Sequence, residues 1–133
     1  MIENFNLGDE FLNEFNINKS LVEKFTDLSN DKNPLHIDNE VAKKKGFKSR
    51  VVYGNLLNCF ISFFVGECLP SKDVIILSQT IKFTSPVFIN DNLFFSSKII
   101  GVFKSVNVVE FSYSFKNQSG ELVSKGKINI KVI

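Results

Sequence analysis

Apolar and polar residues alternate with a period of two along three stretches in the second half of the chain. The stretches are Leu77 to Phe83, Val109 to Phe115 and Ile128 to Val132. This period, with one polar face, is typical of antiparallel strands that cover a core on one side. Turn-forming residues lie between the strands, at Asn90-Asp91, Lys104-Ser105 and Asn117 to Gly120.

The first half of the chain has a different pattern, in which most apolar residues have helical spacing. Its opening apolar residues suggest a first short strand, carried by Phe11, Phe15 and Ile17. A helix is predicted from Asn18 or Ser20, because the next apolar residues have helical spacing, at Leu21, Val22, Phe25 and Leu28. Ser29 to Pro34 has the composition of a turn. Asp38 is predicted to cap a short helix that ends near Gly46.

The segment from Gly54 to Cys68 predicts a helix that is apolar almost all round. Its large residues are Leu56, Leu57, Phe60, Ile61, Phe63, Phe64 and Val65. Such a helix has to be enclosed by the rest of the protein. One buried helix followed by antiparallel strands predicts an α+β fold in which the sheet wraps around a central helix. A length of 133 residues suits one domain, spanning residues 1–133.

Composition excludes several classes of protein. Hydrophobic residues make up 44% of the chain and charged residues 23%, so a packed core is expected and disorder is not. The net charge is only +2, and Arg50 is the one arginine, which argues against a nucleic-acid partner. The longest apolar stretch, Leu56 to Val65, is much shorter than the roughly 20 residues of a membrane span.

The two cysteines indicate a reducing compartment. Cys59 and Cys68 lie nine residues apart on the predicted helix, which places them on opposite faces, too far apart for a disulfide. The chain has no Cys/His cluster with the spacing of metal ligands, so no metal site is expected. Met1 to Gly8 lacks the basic and apolar regions of a signal peptide. We therefore expect a cytoplasmic protein.

The segment Asp31-Lys32-Asn33-Pro34-Leu35-His36 is the strongest candidate for chemistry, and His36 is the only histidine. Pro34 stiffens the turn, which can therefore hold a carboxylate and an imidazole near each other. Such a pair can move protons to and from water or a substrate carbon. By themselves, however, these six residues favour ordinary turn chemistry with a hydrogen-bonded histidine.

Gly54 offers a second component, because backbone N–H groups at a helix start have no partner inside the helix. Such a group can stabilise a carbonyl oxygen that gains negative charge, as in an oxyanion hole. The alternative, that Gly54 only forms a tight turn, is equally compatible with the sequence.

The segment from Phe25 to Asp38 resembles the hydratase motif of the MaoC-like family, which includes the (R)-specific enoyl-CoA hydratases. Two later segments match in order. Gly46-Phe47 through Leu57 resembles the family's approach to its central helix, and Phe83 to Val87 followed by Asp91 resembles its strand-and-turn signature. The resemblance runs from about Phe25 to the C-terminus.

The resemblance implies a hot-dog fold, a homodimer and a tunnel for an acyl-pantetheine arm. Asp31 and His36 would be the catalytic pair, and Asn33 would help to position the site. The Gly54 N–H would polarise the thioester carbonyl, and hydration would give an (R)-3-hydroxyacyl thioester. Ser62 would hydrogen-bond Asp31, unless it bonds its own helix backbone instead. No cofactor is implied beyond the CoA or phosphopantetheine that the substrate carries.

Two positions depart from the family pattern. Tyr53 stands where the family commonly has His before the glycine, and Asn90-Asp91 replaces the usual Gly-Asp after the Pro-Val strand. Asn tolerates positive φ better than most residues, so the turn is expected to survive. Asp31, Asn33 and His36 are unchanged.

A basic run lies between His36 and Gly54, formed by Lys43, Lys44, Lys45, Lys48 and Arg50. It would meet the phosphates of CoA or an acidic acyl carrier protein, or it is a solvated helix face. Three functions are therefore compared. A hydratase or dehydratase uses the Asp31/His36 pair, whereas a hot-dog thioesterase needs no paired His. A non-catalytic acyl-binding subunit would lose little on Asp31→Asn.

Overall fold

A computed structural model describes residues 1–133, which form a five-stranded sheet and four α-helices. The elements are, in chain order, β1 (Glu10–Asn16), α1 (Lys19–Ser29), α2 (Pro34–Ile37), α3 (Asn39–Lys44), α4 (Leu56–Phe63), β2 (Val74–Phe83), β3 (Asn92–Phe103), β4 (Val108–Lys116) and β5 (Leu122–Val132). A 3₁₀ turn (Ile2–Asn4) precedes β1, and a π-helical turn (Phe64–Cys68) follows α4.

The sheet is antiparallel throughout, with strand order β1-β3-β4-β5-β2. Alternate residues of β3, β4 and β5 are buried on one face, and α4 packs against that face. The contact is rich in aromatic rings. Phe64 lies 4.9 Å from Phe95 and 5.6 Å from Phe111 between ring centroids, and Phe60 stacks on Phe15 at 4.3 Å. The predicted sheet around a central helix is therefore present.

Local signals placed most elements correctly. Asn18 caps α1 by accepting a hydrogen bond from the Leu21 N–H, and Asp38 caps α3 in the same way. Asn90 has φ of 75°, so the turn at the Asn-Asp departure survives as expected. Cys59 and Cys68 are free thiols. None of the helices has the length and apolar character needed to cross a membrane.

The predicted single helix from Gly54 to Cys68 is shorter and less regular than expected. Gly54 lies in a turn before α4, and the last five residues form the π-helical turn. The Lys72 ammonium binds the carbonyl oxygens of Gly66 and Glu67 at 2.9 Å each, which satisfies the carbonyls left free where the helix ends.

Two predictions about burial were wrong. The apolar side of β2 is not covered in the single chain, since Leu77 is 51% exposed and Phe83 is 49% exposed. Strand β2 lies at the edge of the sheet, and its register shifts between Ile76 and Ser78, where Leu77 is skipped. Helix α4 is also not enclosed all round, because Phe63 is 46% exposed.

Candidate active site

The segment between α1 and α2 is shaped by its own side chains. Helix α1 ends at Asn30 in the left-handed conformation, with φ of 56°. The Asp31 carboxylate accepts a hydrogen bond from the Asn33 N–H at 3.0 Å, and the Asn33 side-chain oxygen accepts one from the Leu35 N–H at 3.0 Å. Asn33 is therefore the N-cap of α2, and Pro34 is suited to its first position. The predicted turn thus leads into one helical turn that carries His36.

His36 is held in one tautomer. Its Nδ1 lies 2.7 Å from the Val51 carbonyl oxygen. A carbonyl oxygen only accepts, so Nδ1 must be the donor. In the neutral ring the other nitrogen, Nε2, is then the unprotonated one and is available as a base. The half-buried ring lines a cleft next to α4.

Tyr53 connects His36 to the Asp31 segment. The Tyr53 hydroxyl donates a hydrogen bond to the Asp31 main-chain carbonyl at 2.5 Å. Its ring lies against the His36 ring, with 4.3 Å between centroids and 32° between planes. The two predicted catalytic residues therefore both contact the buried side chain of Tyr53.

Gly54 lines the same cleft as His36. Its carbonyl accepts from the Leu57 N–H at 3.0 Å in the turn before α4, whereas its own N–H donates no hydrogen bond within the chain. A Cβ at this position would lie 2.8 Å from the Phe83 ring. Gly54 therefore forms a tight turn, as one interpretation of the sequence predicted, and also has a free N–H, as the other interpretation requires.

The cleft has a volume of about 480 Å³ and is mostly apolar. Its walls come from α2, the segment before α4, α4 itself, the end of β2 with the loop after it, and the start of β5. They include Phe47, Val52, Leu57, Phe83, Pro86, Val87 and Val123. An apolar cleft with a few polar groups is the usual form of a small-molecule site. The arrangement suits an acyl chain with a reactive end near His36 and Gly54.

The other predicted residues lie outside this cleft. Asp31 and Asn33 are exposed beside it in the single chain. Ser62 is on the exposed side of α4, and the predicted hydrogen bond between Ser62 and Asp31 is not formed. A single chain therefore leaves these polar groups accessible.

The basic run lies on α3 and in the loop after it. Phe47 and Val51, within and after the run, line the cleft, so the run borders its rim. Lys43 pairs with Glu40 at 3.5 Å, and the Lys48 ammonium lies 4.6 Å from the centre of the Phe88 ring. The Arg50 backbone N–H binds the Asn39 side chain at 3.0 Å. Lys44 and Lys45 are exposed and form no ion pair.

Sequence reasoning missed two groups that organise the site. The Val51 carbonyl fixes the His36 tautomer, and a main-chain group carries no signal in its residue type. Tyr53 was noticed only as a departure from the family pattern. A tyrosine directly before the glycine of an apolar helix could have been flagged, because a buried hydroxyl needs a partner.

These features define a class of protein, namely a sheet wrapped on a helix with a histidine and a free backbone N–H lining an apolar cleft. A family model described as "MaoC like domain" matches residues 7–117. An (R)-specific enoyl-CoA hydratase of Rhodospirillum rubrum is 31% identical over 116 residues, which cover 87% of this chain and 80% of that protein. The chain belongs to the MaoC-like family.

Two further comparisons agree with this assignment. A mitochondrial 3-hydroxyacyl-[acyl-carrier-protein] dehydratase of Arabidopsis thaliana is 32% identical over 109 residues, covering 80% of this chain and 64% of that protein. The solved (R)-hydratase from A. caviae involved in PHA biosynthesis superposes with a TM-score of 0.92 at 27% identity, covering 98% of this chain and 99% of that chain. The predicted hot-dog fold is confirmed.

Proposed function

We propose that the protein catalyses the reversible (R)-specific hydration of trans-2-enoyl-CoA, or the dehydration of the corresponding 3-hydroxyacyl thioester on CoA or acyl carrier protein. The names of its relatives support this class of hydro-lyase. The observation that carries the proposal is His36, whose Nδ1 is committed to the Val51 carbonyl, so that Nε2 is free for proton transfer at a cleft that also holds the Gly54 N–H.

The hydration step balances with the groups present. A water molecule, oriented by the Asp31 carboxylate, gives one proton to His36 Nε2 as its oxygen bonds to C3 of the substrate. The electron pair of the C2–C3 double bond moves to the thioester carbonyl oxygen, where the Gly54 N–H stabilises the developing charge. The acid–base pair then returns a proton to C2. Dehydration is the reverse sequence.

The proposed chemistry needs no cofactor of its own, since CoA or phosphopantetheine arrives with the substrate. Asn33 serves in this proposal as the residue that shapes the turn, through its bonds to Asp31 and to the start of α2. The two free thiols are consistent with the proposed cytoplasmic location.

We assign the anionic part of the substrate to the rim formed by Lys43, Lys44, Lys45, Lys48 and Arg50. Lys44 and Lys45 are the members with free ammonium groups, because Lys43 and Lys48 already have partners. The phosphates of CoA and the acidic surface of a carrier protein are both complementary to this charge.

A homodimer is the proposed assembly. Strand β2 pairs only with β5, so its outer edge has unpaired backbone groups, and three consecutive large apolar residues, Ile75 to Leu77, are exposed on it. The open side of α4, which carries Ser62 and Phe63, is exposed as well. A second copy would cover these surfaces. Light scattering on the purified protein tests this, and a mass of one 15.1 kDa chain would contradict it.

The deciding experiment follows hydration of a short trans-2-enoyl-CoA as loss of the conjugated-thioester absorbance. Asp31→Asn is expected to lower kcat by about 10² to 10⁴-fold, the usual contribution of a general acid or base. Asp27→Asn is the matched control, because Asp27 is also exposed but its side chain makes no hydrogen bond or ion pair. The control should keep the wild-type rate.

Other outcomes separate the alternatives. Release of free thiol at the same rate as the absorbance loss would indicate a thioesterase. Binding of enoyl-CoA without turnover, unchanged by Asp31→Asn, would indicate a non-catalytic acyl-binding subunit. Lack of turnover with both enoyl-CoA and enoyl carrier protein would contradict the proposal.

A further inference from the structure

Tyr53 is one of the most enclosed polar residues of the chain, although it lies next to the cleft. It is 2% exposed. Its ring packs against two other rings, with centroid distances of 4.8 Å to Phe25 and 4.3 Å to His36. Movement of Tyr53 would therefore remove one of the contacts that hold the imidazole, beside its bond to the Val51 carbonyl.

The Tyr53 hydroxyl belongs to a short chain of hydroxyl groups. It lies 2.5 Å from the Asp31 carbonyl oxygen and 2.8 Å from the Thr26 hydroxyl oxygen, and Thr26 Oγ1 also lies 3.0 Å from the Val22 carbonyl oxygen. The two hydroxyls have two protons for these three contacts. Tyr53 donates to the Asp31 carbonyl and Thr26 donates to the Val22 carbonyl, because a carbonyl oxygen only accepts, and the two hydroxyl oxygens lie against each other.

The Thr26 hydroxyl places the Tyr53 hydroxyl next to α1. Val22 and Thr26 are four residues apart on α1, so the Thr26 hydroxyl bonds the carbonyl one turn back along its own helix. This bond fixes the Thr26 side chain against which the Tyr53 hydroxyl lies, and Tyr53 donates to Asp31. The Tyr53 and Thr26 side chains therefore connect the Asp31 main chain to α1. This connection matters because Asp31 lies outside the hydrogen-bonded helices and strands.

The backbone of Tyr53 is held from the other direction. The Val51 N–H bonds the Leu35 carbonyl at 3.0 Å, and the Val52 N–H bonds the Val87 carbonyl at 2.8 Å. Tyr53 follows directly, and its peptide bond continues into the Gly54 N–H. Three parts of the site therefore meet at one residue: the Asp31 main chain at its hydroxyl, the His36 ring at its face and the Gly54 N–H at its peptide.

We infer that Tyr53 is the positioning residue of this site, holding Asp31 through its hydroxyl and supporting His36 with its ring. The inference rests on the proposed hydratase function and names a role for a position where the family commonly has histidine. Tyr53 contacts no reacting atom in this account. It acts by setting the direction of the Asp31 carboxylate relative to Nε2 of His36.

The test uses the two tyrosines of the chain as a matched pair. Tyr113 is also buried, at 4% exposure, and its hydroxyl also donates to a main-chain carbonyl, that of Thr80, at 2.7 Å. Tyr53→Phe and Tyr113→Phe therefore remove the same kind of hydrogen bond and should lower the melting temperature by similar amounts. Only Tyr53→Phe should lower kcat, by about 10- to 100-fold, the usual effect of a misplaced catalytic group.

Two readouts separate positioning from general loss of structure. The KM of Tyr53→Phe should stay within about twofold of the wild type, because the ring, the cleft and the Gly54 N–H are retained. Amide hydrogen exchange in residues 30–37 should become faster in Tyr53→Phe and remain unchanged in Tyr113→Phe. Thr26→Val, which removes the hydroxyl that lies against the Tyr53 hydroxyl, should lower kcat by a smaller factor of about three.

Each remaining outcome overturns the inference. A kcat for Tyr53→Phe within twofold of the wild type does so, as does an equal loss of kcat in Tyr113→Phe. Unchanged hydrogen exchange in residues 30–37 of Tyr53→Phe also does so, and this measurement needs no turnover. Failure of the hydratase proposal is recognised separately, by a wild-type protein that does not turn over either thioester.

Discussion

The sheet around Tyr113 and the segment around Tyr53 use the same hydrogen bond in different surroundings. Tyr113 reaches the Thr80 carbonyl, and Thr80 is already held opposite Lys127 by the ladder between β2 and β5. Tyr53 reaches the Asp31 carbonyl in a segment where side chains provide the bonds that hold the turn. The sheet around Tyr113 is held by many equivalent backbone hydrogen bonds, whereas the segment around Asp31 is held by a few individual side-chain hydrogen bonds.

This difference indicates how each region should respond to change. A sheet with a continuous ladder loses stability gradually and keeps its geometry, because neighbouring bonds remain. A loop held by single contacts can lose its geometry with little change in global stability, because little apolar surface is involved. Substitutions in the sheet should therefore affect unfolding, and substitutions in the site segment should affect turnover.

The largest expected effect is in the sheet. Phe111 is fully buried and meets Phe64 edge-on. Phe111→Ala should lower the free energy of unfolding by about 4 kcal/mol through lost burial and a cavity, as measured by urea unfolding. Phe94→Ala, on the exposed face of β3, should cost less than about 1 kcal/mol. Similar losses for both variants would contradict a core on one face only.

The next effect concerns alkaline pH. Burial raises the pKa of Tyr113 to about 12, against 10.0 for a free phenol. The neutral phenol is therefore favoured in the folded chain, and its contribution to stability is complete below pH 10 and lost as the pH rises towards 12. The two pKa values set an upper bound of about 3 kcal/mol on this loss.

Tyr113→Phe is the control for this titration, because it removes the phenol and leaves the lysines. The stability difference between wild type and Tyr113→Phe should change between pH 10 and 12, with the wild type losing more, as followed by urea unfolding at each pH. A constant difference across this range would show that the phenol has an ordinary pKa in the folded chain.

A smaller effect is expected in the site segment. Gly54→Ala would place a methyl group 2.8 Å from the Phe83 ring, so the ring that lines the cleft must move. We expect kcat/KM for enoyl-CoA to fall about tenfold, with a stability change below about 1 kcal/mol. Gly66→Ala, where a Cβ meets nothing within 4 Å, should leave both quantities unchanged. A large loss of stability in Gly54→Ala without a fall in kcat/KM would contradict the expectation that this segment affects turnover more than unfolding.

The smallest effect is electrostatic. The double variant Lys44→Ala/Lys45→Ala should raise KM about threefold at low salt, and the difference should disappear at high salt because mobile ions screen exposed charges. Lys98→Ala/Lys127→Ala removes the same charge from the exposed face of the sheet and should not change KM. An equal rise in KM in both double variants would indicate that KM depends on the net charge of the protein and not on the position of Lys44 and Lys45.

The sequence predicted the parts of the fold that depend on neighbouring residues. Asn18 and Asp38 lie at helix starts because their side chains bond the N–H groups just after them. Strand β3 received no explicit prediction, because apolar and polar residue types do not alternate along it. Phe94 and Ile100 lie on its exposed face and Ser97 lies on its buried face. The covered state of β2 was predicted wrongly because period two shows that a strand has two faces and not whether a neighbour covers either one.

The same division applies to the site. The turn from Asp31 to His36 is local, since the Asp31 and Asn33 side chains shape it by accepting hydrogen bonds from N–H groups two residues on, and the motif was therefore visible in the sequence. The contacts of Tyr53 with Asp31 and of Val51 with His36 span 22 and 15 residues. These contacts follow from how the segments meet in space, so the residue pattern could not predict them.

The uncovered edge of β2 has a consequence for the life of a newly made chain. Its backbone groups and the apolar residues Ile75 to Leu77 can pair with any extended segment they meet. A folded chain that exposes this edge is therefore prone to aggregate. Rapid synthesis would consequently lower the yield of folded protein, because encounters between exposed edges become more frequent as the concentration of new chains rises.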